Sequence, residues 1–369
     1  MGGGVGLLDY DNDGWLDVYC VQGGSLYPDA KLKPGNKLFR NLGGWRFEDV
    51  TDKAGVAGHG EYGMGCACGD YNGDGWMDIY VTNLGRNTLY RNNGNGTFTD
   101  VTDQFRGCAV SALGVPEAGM GVVAVDLMQR GCLDLFITHL VGEANRLFLN
   151  TNGFFLDWVH PKGPGATSWP VTGFGVGFFD FDRDGLLDLY VANGRVKYGA
   201  TDYDPKDPYA EPNQLLKGSA RGEFEEIPNA GLATPLIATS RGCAFGDLDN
   251  DGAIDIVVIN RDGPAHVLRN VTGSAERHWV MFRVQSRNGI DALNSLLRIQ
   301  AGGSVQCRQV SPNEGYCSSN DPRVHFGLGA ATRIDSLTIH WAKGDEEIFG
   351  PFAANATYSV LRGTGRRHD

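Results

Sequence analysis

Asp9-Tyr10-Asp11-Asn12-Asp13-Gly14-Trp15-Leu16-Asp17 places four carboxylates at positions 1, 3, 5 and 9 of one short loop, with glycine at position 6 for the sharp turn. Acids that alternate in a tight turn converge, and converging carboxylates repel one another unless a cation sits among them. A hard cation such as Ca²⁺ takes six to eight oxygens; the backbone carbonyl of Trp15 at position 7 adds one to the side chains. The loop recurs as Asp70, Asn72, Asp74 and Asp78 with Trp76 at position 7. It recurs again as Asp180, Asp182, Asp184 and Asp188 with Leu186, and as Asp247, Asp249, Asp251 and Asp255 with Ala253. These residues are the expected metal ligands of about four Ca²⁺ sites. A further copy, the third in chain order, runs from Asp126 to Asp134 and carries Met128 and Arg130 at positions 3 and 5. That loop is expected to be empty, the Arg130 guanidinium replacing the ion and pairing with Asp126 and Asp134. One such loop alone reads as an ordinary Asp/Gly turn, but four intact copies in one register do not.

The elements that carry the loops repeat with them. Successive loops begin 61, 56, 54 and 67 residues apart, and a period of this kind marks a repeat architecture. A small-residue strand precedes each loop, as in Gly4-Val5-Gly6-Leu7-Leu8 and Gly175-Val176-Gly177-Phe178-Phe179. An apolar β-branched run follows, as in Met77-Asp78-Ile79-Tyr80-Val81. A third strand begins at Asn36, Asn87, Asn145 or Asn213, and a fourth follows at Trp45, Gly96 and Gly222. Short runs bounded by turn residues read as strands, and four strands per period make a propeller blade. Five blades are visible over residues 1–275. From 276 to 369 the period breaks into alternating β-strands, a small all-β module that forms either a sandwich or further blades, up to seven in all. The longest interruption, residues 195–212, carries Tyr198, Tyr203 and Tyr209 among acids and prolines. Loops of this kind on a rigid scaffold carry binding sites.

The net charge of −12 argues against a nucleic-acid partner. Fifteen of the acids lie in the four intact loops, so four divalent ions would cancel most of the excess. No apolar run reaches membrane-spanning length. Met1 is followed at once by the first glycine-rich strand, so the expectation is of no signal peptide and of a start inside the first repeat. An open first blade is a template for association, which admits a homo-oligomer or filament. Cys66 and Cys243 read as small buried residues. Cys307 and Cys317 flank a turn on two expected hairpin strands, where a disulfide and two free thiols are equally compatible with the sequence. Catalytic motifs are absent: no Gly-x-Ser-x-Gly, no His-Glu-x-x-His and no phosphate loop. The histidines, His139 and His160 among them, show no ligand spacing.

The acidic loops and their flanking strands resemble the FG-GAP, or VCBS, repeats of integrin α-subunit propellers. The C-terminal stretch resembles the ASPIC/UnbV domain through His278-Trp279, Gly315-Tyr316, Asp321-Pro322-Arg323-Val324-His325-Phe326-Gly327-Leu328-Gly329 and Ile339-His340-Trp341. Together they resemble the cartilage acidic protein family and its bacterial members. The resemblance implies a secreted or cell-surface Ca²⁺-binding β-propeller without catalysis, serving adhesion, matrix or surface assembly, with a protein or glycan ligand at its surface loops. The alternatives are a calcium-dependent enzyme, since bacterial members also resemble proteins of enediyne gene clusters, and a carbohydrate-binding module. The chain departs from the family in repeat three and at Asp291, where a glycine is usual.

Overall fold

Apolar β-branched runs a few residues long, separated by acidic or glycine turns, can bury themselves only by pairing with their neighbours in sequence. The computed structural model of this chain shows that outcome. It describes all residues except 1–3, 14, 24–34, 59, 61, 70–73, 75, 85–87, 103–119, 131–132, 143, 152–153, 159, 197–202, 205, 273–275, 294, 342–344 and 368–369.

The first blade is the antiparallel meander β1 (Val5–Leu8), β2 (Asp17–Cys20), β3 (Lys37–Asn41) and β4 (Phe47–Asp49). The second is β5 (Tyr62–Gly69), β6 (Asp78–Leu84), β7 (Thr88–Asn92) and β8 (Phe98–Asp100). The third is β9 (Val122–Val125), β10 (Asp134–Ile137), β11 (Arg146–Thr151) and β12 (Phe154–Asp157). In the fourth, β13 (Gly173–Phe179) and β14 (Asp188–Asn193) are followed by β15 (Glu211–Pro212), which ends the 195–212 insertion, and then by β16 (Gln214–Gly218) and β17 (Phe224–Ile227). After β18 (Ile237–Ala238), which pairs with β15, the fifth blade is β19 (Ser240–Gly246), β20 (Asp255–Asn260) and β21 (His266–Leu268).

The innermost strands stand side by side, β5 against β1, β1 against β19, β19 against β13 and β13 against β9, so the fifth blade abuts the first. Glycine permits this closeness: a Cβ on Gly177 would lie 2.2 Å from the Phe245 ring. The core therefore sits in the seams. Leu8, Tyr19, Ile79 and Tyr90 fill the seam between blades one and two, Val5, Val18, Val257 and Ile259 that between one and five, and Val123, Phe136, Leu189 and Val191 that between three and four.

The C-terminal strands are β22 (His278–Gln285), β23 (Leu296–Ala301), β24 (Ser304–Gln309), β25 (Ser318–Ser319), β26 (Val324–Gly329), β27 (Arg333–Ile334), β28 (Ser336–His340), β29 (Glu346–Phe349), β30 (Phe352–Ala353), β31 (Ala356–Leu361) and β32 (Arg366–Arg367). One sheet has the order β26-β22-β31 and the other β24-β23-β28-β29-β32. Val280, Phe282 and Val284 of the first meet Leu297, Ile299, Leu337 and Ile339 of the second. This is a sandwich, so the described residues form five blades and not seven.

Cys307 and Cys317 are free thiols, one of the two states the sequence left open, and the expected hairpin is corrected, since they do not flank one. β24 pairs with β23, whereas β25 lies parallel to β1, Val5 opposite Ser318 and Gly6 opposite Ser319. The same pairing gives the inner edge of the first blade a partner from within the chain. Among the described residues no helix is long and apolar enough to cross a membrane.

Candidate metal centre

Each acidic loop joins the first and second strands of a blade, and its geometry repeats. Position 4 takes a left-handed backbone wherever it is described, with φ of 57° at Asn12, 52° at Gln129, 62° at Arg183 and 56° at Asn250. Position 6 does the same at Gly185 and Gly252, with φ of 90° and 84°. The amide at position 7 donates to the carboxylate at position 5 in all four intact loops, at 3.0 Å from Trp15 and Trp76 and 2.9 Å from Leu186 and Ala253. The amide at position 5 donates to the carboxylate at position 1, at 3.0 Å in loops one and four and 3.1 Å in loop five. Together these bonds fold the acids toward a common point. Three ligand oxygens fall within 4.8 Å of one another at Asp9, Asp11 and Asp13, at Asp180, Asp182 and Asp188, and at Asp247, Asp249 and Asp251. In the second loop Asp70 and Asn72 lie outside the described residues, while Asp74 and Asp78 lie within them.

Position 9 has a second task that acid spacing alone does not reveal. The Tyr10 amide donates to Asp17 Oδ2 at 3.0 Å and the Asn41 amide to Asp17 Oδ1 at 2.8 Å. Phe181 and Gly218 hold Asp188 in the same way, and Leu248 and Asn270 hold Asp255. This carboxylate therefore ties the loop to the third strand of its blade; its remaining lone pairs are what an ion can use. Burial pushes Asp17 and Asp188 up to about 8 and Asp255 up to about 7. Burial also raises Asp180 to about 7 and Asp247 to about 6, with repulsion from Asp184 and Asp251 respectively adding to it. Clustered carboxylates with this resistance to ionisation are stabilised as anions by a divalent cation.

Asp11 Oδ1 and Asp249 Oδ1, both at position 3, are buried with no hydrogen-bond partner among the described residues. A buried lone carboxylate oxygen is costly, and an oxygen-only donor set matches Ca²⁺. The residues fit.

Basic side chains meet the loops from the third strand, a feature the acid spacing did not announce. Arg40 Nε lies 2.7 Å from Asp11 and its Nη2 3.0 Å from Asp13. Arg269 Nη2 lies 2.7 Å from Asp249, and Lys217 Nζ lies 2.7 Å from Asp182 and 2.5 Å from Asp184. The signal was present in the sequence: Arg40, Arg91, Lys217 and Arg269 share one register, and only the third repeat has an apolar residue there, Leu149. In that repeat Arg130 reaches both acids. Its guanidinium bonds Asp134 at 2.5 Å and its backbone amide bonds Asp126 at 2.7 Å.

Loops four and five also support the C-terminal sandwich. Arg277 Nη1 pairs with Asp182 at 2.7 Å, the Gly329 amide donates to Arg183 O at 2.9 Å, and Arg323 Nη2 donates to Asp247 O at 3.0 Å. The Trp279 ring covers Gly252 so closely that a Cβ there would fall 1.8 Å from it. Elsewhere, His160 stacks on Trp158 at 5.1 Å, and the His139 ring contacts Ile137 O at 3.2 Å. In the 195–212 insertion Tyr198 lies outside the described residues, Tyr203 is exposed, and Tyr209 packs under Arg261 at 4.5 Å.

Comparison with known proteins agrees with this geometry. The FG-GAP-like repeat family model matches residues 9–81, 70–137 and 126–191, and the ASPIC and UnbV model matches residues 285–367. Cartilage acidic protein 1 of Mus musculus is 27% identical over 363 residues, 93% of this chain and 52% of that protein. The Homo sapiens protein of the same name is 26% identical over 363 residues, 93% of this chain and 50% of that protein. The chain spans about half the length of these curated relatives. A solved structure described as an Agrocybe aegerita lectin recognising non-reducing terminal N-acetylglucosamine is 20% identical, over 74% of this chain and 67% of that one. Its TM-score is 0.24.

Proposed function

This chain is one of the proteins that join FG-GAP-like repeats to a C-terminal ASPIC and UnbV domain, and from that premise we propose that it is an extracellular Ca²⁺-stabilised propeller serving adhesion, matrix or surface assembly. The observation that carries the calcium part is the pair of buried, partnerless oxygens at position 3, Asp11 Oδ1 and Asp249 Oδ1. The ions are structural: each loop closes a hairpin next to an inter-blade seam. Ligand recognition falls to surface groups away from the loops, such as the exposed Trp169 ring and Tyr203 in the 195–212 insertion. Exposed aromatics of this kind suit a protein or glycan surface. Adhesion and matrix are supported by the name of the cartilage relatives and by the repeat family.

The test is calcium titration of chelator-treated protein, with calorimetry counting ions and thermal denaturation recording stability. Uptake of several ions with a higher melting temperature is expected. Linkage gives about 2.7 kcal/mol per site at a hundred times its dissociation constant. No uptake, or uptake that leaves stability unchanged, overturns the proposal.

A further inference from the structure

We propose that in blades one, four and five the basic residue near the end of the third strand decides whether the adjacent loop is open to a divalent cation, Arg40 and Arg269 leaving it open and Lys217 filling it from within. The inference rests on the calcium reading above and divides loops that the sequence presents as equivalent.

In blades one and five the guanidinium holds one edge of the acids. Arg40 Nε and Nη2 contact Asp11 Oδ2 at 2.7 Å and Asp13 Oδ2 at 3.0 Å. Arg269 Nη2 contacts Asp249 Oδ2 at 2.7 Å and Asp251 Oδ2 at 3.6 Å, and the Trp45 indole donates to the same Asp249 oxygen at 2.6 Å. Every one of these contacts is to Oδ2. The other oxygen at position 3, Asp11 Oδ1 or Asp249 Oδ1, is the buried one without a partner. A planar guanidinium presents its donors in a rigid fork. Here the fork grips the Oδ2 edge of the carboxylates and leaves the second oxygen of position 3 for an ion. Partners of this kind orient metal ligands, and their loss costs about 10- to 100-fold in affinity.

Blade four is different. Lys217 Nζ lies 2.7 Å from Asp182 Oδ1, 2.5 Å from Asp184 Oδ2 and 3.6 Å from Asp188 Oδ1, that is, among positions 3, 5 and 9 together. Arg277 takes the remaining oxygen of Asp182 at 2.7 Å. Both oxygens at position 3 are thus bound by cations, and neither is left over. Two of the acids that hold the ammonium, Asp182 and Asp188, belong to the trio that could hold a metal. An ammonium is a compact point charge on a flexible stem, and from the third strand Lys217 meets three of the loop's carboxylates where Arg40 and Arg269 each meet two. It and a divalent ion repel each other and cannot both be there. The third blade shows the same outcome by another route: Leu149 stands in the strand register and Arg130 enters from the loop itself to meet Asp134. The expected order is loops one and five binding Ca²⁺ tightly, loop four at least tenfold more weakly, and loop three not at all.

The experiment titrates Ca²⁺ into the chelator-treated full chain by calorimetry, comparing wild type with K217M, K217R, K217M/D182N and R40K. K217M and K217R are expected to add one tight site or tighten one at least tenfold. D182N added to K217M should abolish that gain and so assign it to loop four. R40K, which puts a lysine beside loop one, should weaken one tight site by about tenfold or more. Calcium binding that is the same in wild type, K217M and K217R overturns the inference while leaving the calcium reading intact. If circular dichroism shows that K217M does not fold, K217R and R40K decide the matter. No calcium bound by any variant overturns both.

Discussion

Aspartates that look alike in the sequence carry different loads. Asp17 accepts the Tyr10 and Asn41 amides within the protein interior, whereas Asp11 keeps a buried oxygen unused. Asp17→Ala should therefore destabilise the protein with or without calcium, each stranded amide costing about 1–3 kcal/mol. Asp11→Ala should remove chiefly the calcium-dependent part, the partly exposed Arg40 pair being the smaller loss. Thermal denaturation in calcium and in chelator separates the two. The third loop offers the converse. Met128→Asp together with Arg130→Asp rebuilds the acidic spacing on a backbone whose position 4, Gln129, already has the required left-handed φ of 52°. The double variant should bind one more Ca²⁺ by calorimetry and melt lower than wild type in chelator. The acid spacing was legible because ligand number and turn geometry leave few alternatives. The position 4 conformation was present only as a preference, Asn12, Gly73 and Asn250 favouring it while Arg183 and Gln129 disguise it. The division of labour between positions 3 and 9 was not legible, because it depends on amides that approach from another strand.

Between blades, one device repeats. Asn92 Nδ2 donates to Tyr10 O of the preceding blade at 2.8 Å and to Met77 O of its own at 3.0 Å. Asn41 Nδ2 bridges Leu16 O and Leu248 O, both at 2.9 Å, and Asn270 Nδ2 reaches Phe181 O at 2.8 Å. A side-chain amide thus clips the third strand of one blade to the acidic loop of its neighbour. Asn92→Ala should lower stability by about 1–3 kcal/mol for each stranded carbonyl, read from denaturant midpoints at constant slope. In blade four the position is Gly218, where a Cβ would lie 2.0 Å from Leu187 O, so no asparagine fits. The blades themselves were visible in the sequence, since strand length, β-branching and turn residues are local properties. The clips were not, because they join residues whose proximity exists only once blades stand side by side.

At the scale of the molecule, the C-terminal sandwich is a structural partner of the repeats. Trp279 and Met281 pack with Phe245 and Ile256 in a core shared with blades four and five, and β25 lies along β1. Glu314, in the segment leading to β25, borders a cavity of about 140 Å³ between the inner strands and the sandwich. Burial raises its carboxyl to about 7, against a hydrogen bond with Ser311 that lowers it. A folded-state value above the unfolded one means stability that is present at low pH and lost as pH rises through about 7. Glu314→Gln should melt higher than wild type at pH 8, and the gap should narrow as pH falls toward 5. Sequence periodicity showed nothing of how the repeats and the sandwich meet, because the pairing of Val5 with Ser318 leaves no pattern along the chain.

That contact has a consequence in time. Residues about 310 positions apart share a β-ladder among the innermost strands, and Asn41 bonds across to Leu248. Synthesis at about 5–20 residues per second means that blade one waits roughly 15–60 s for its inner partner. During that wait β1 shows an unpaired strand edge, the surface most prone to joining another chain. Completion of this sheet therefore comes late, and yield should depend on how well the β1 edge is shielded until β25 arrives.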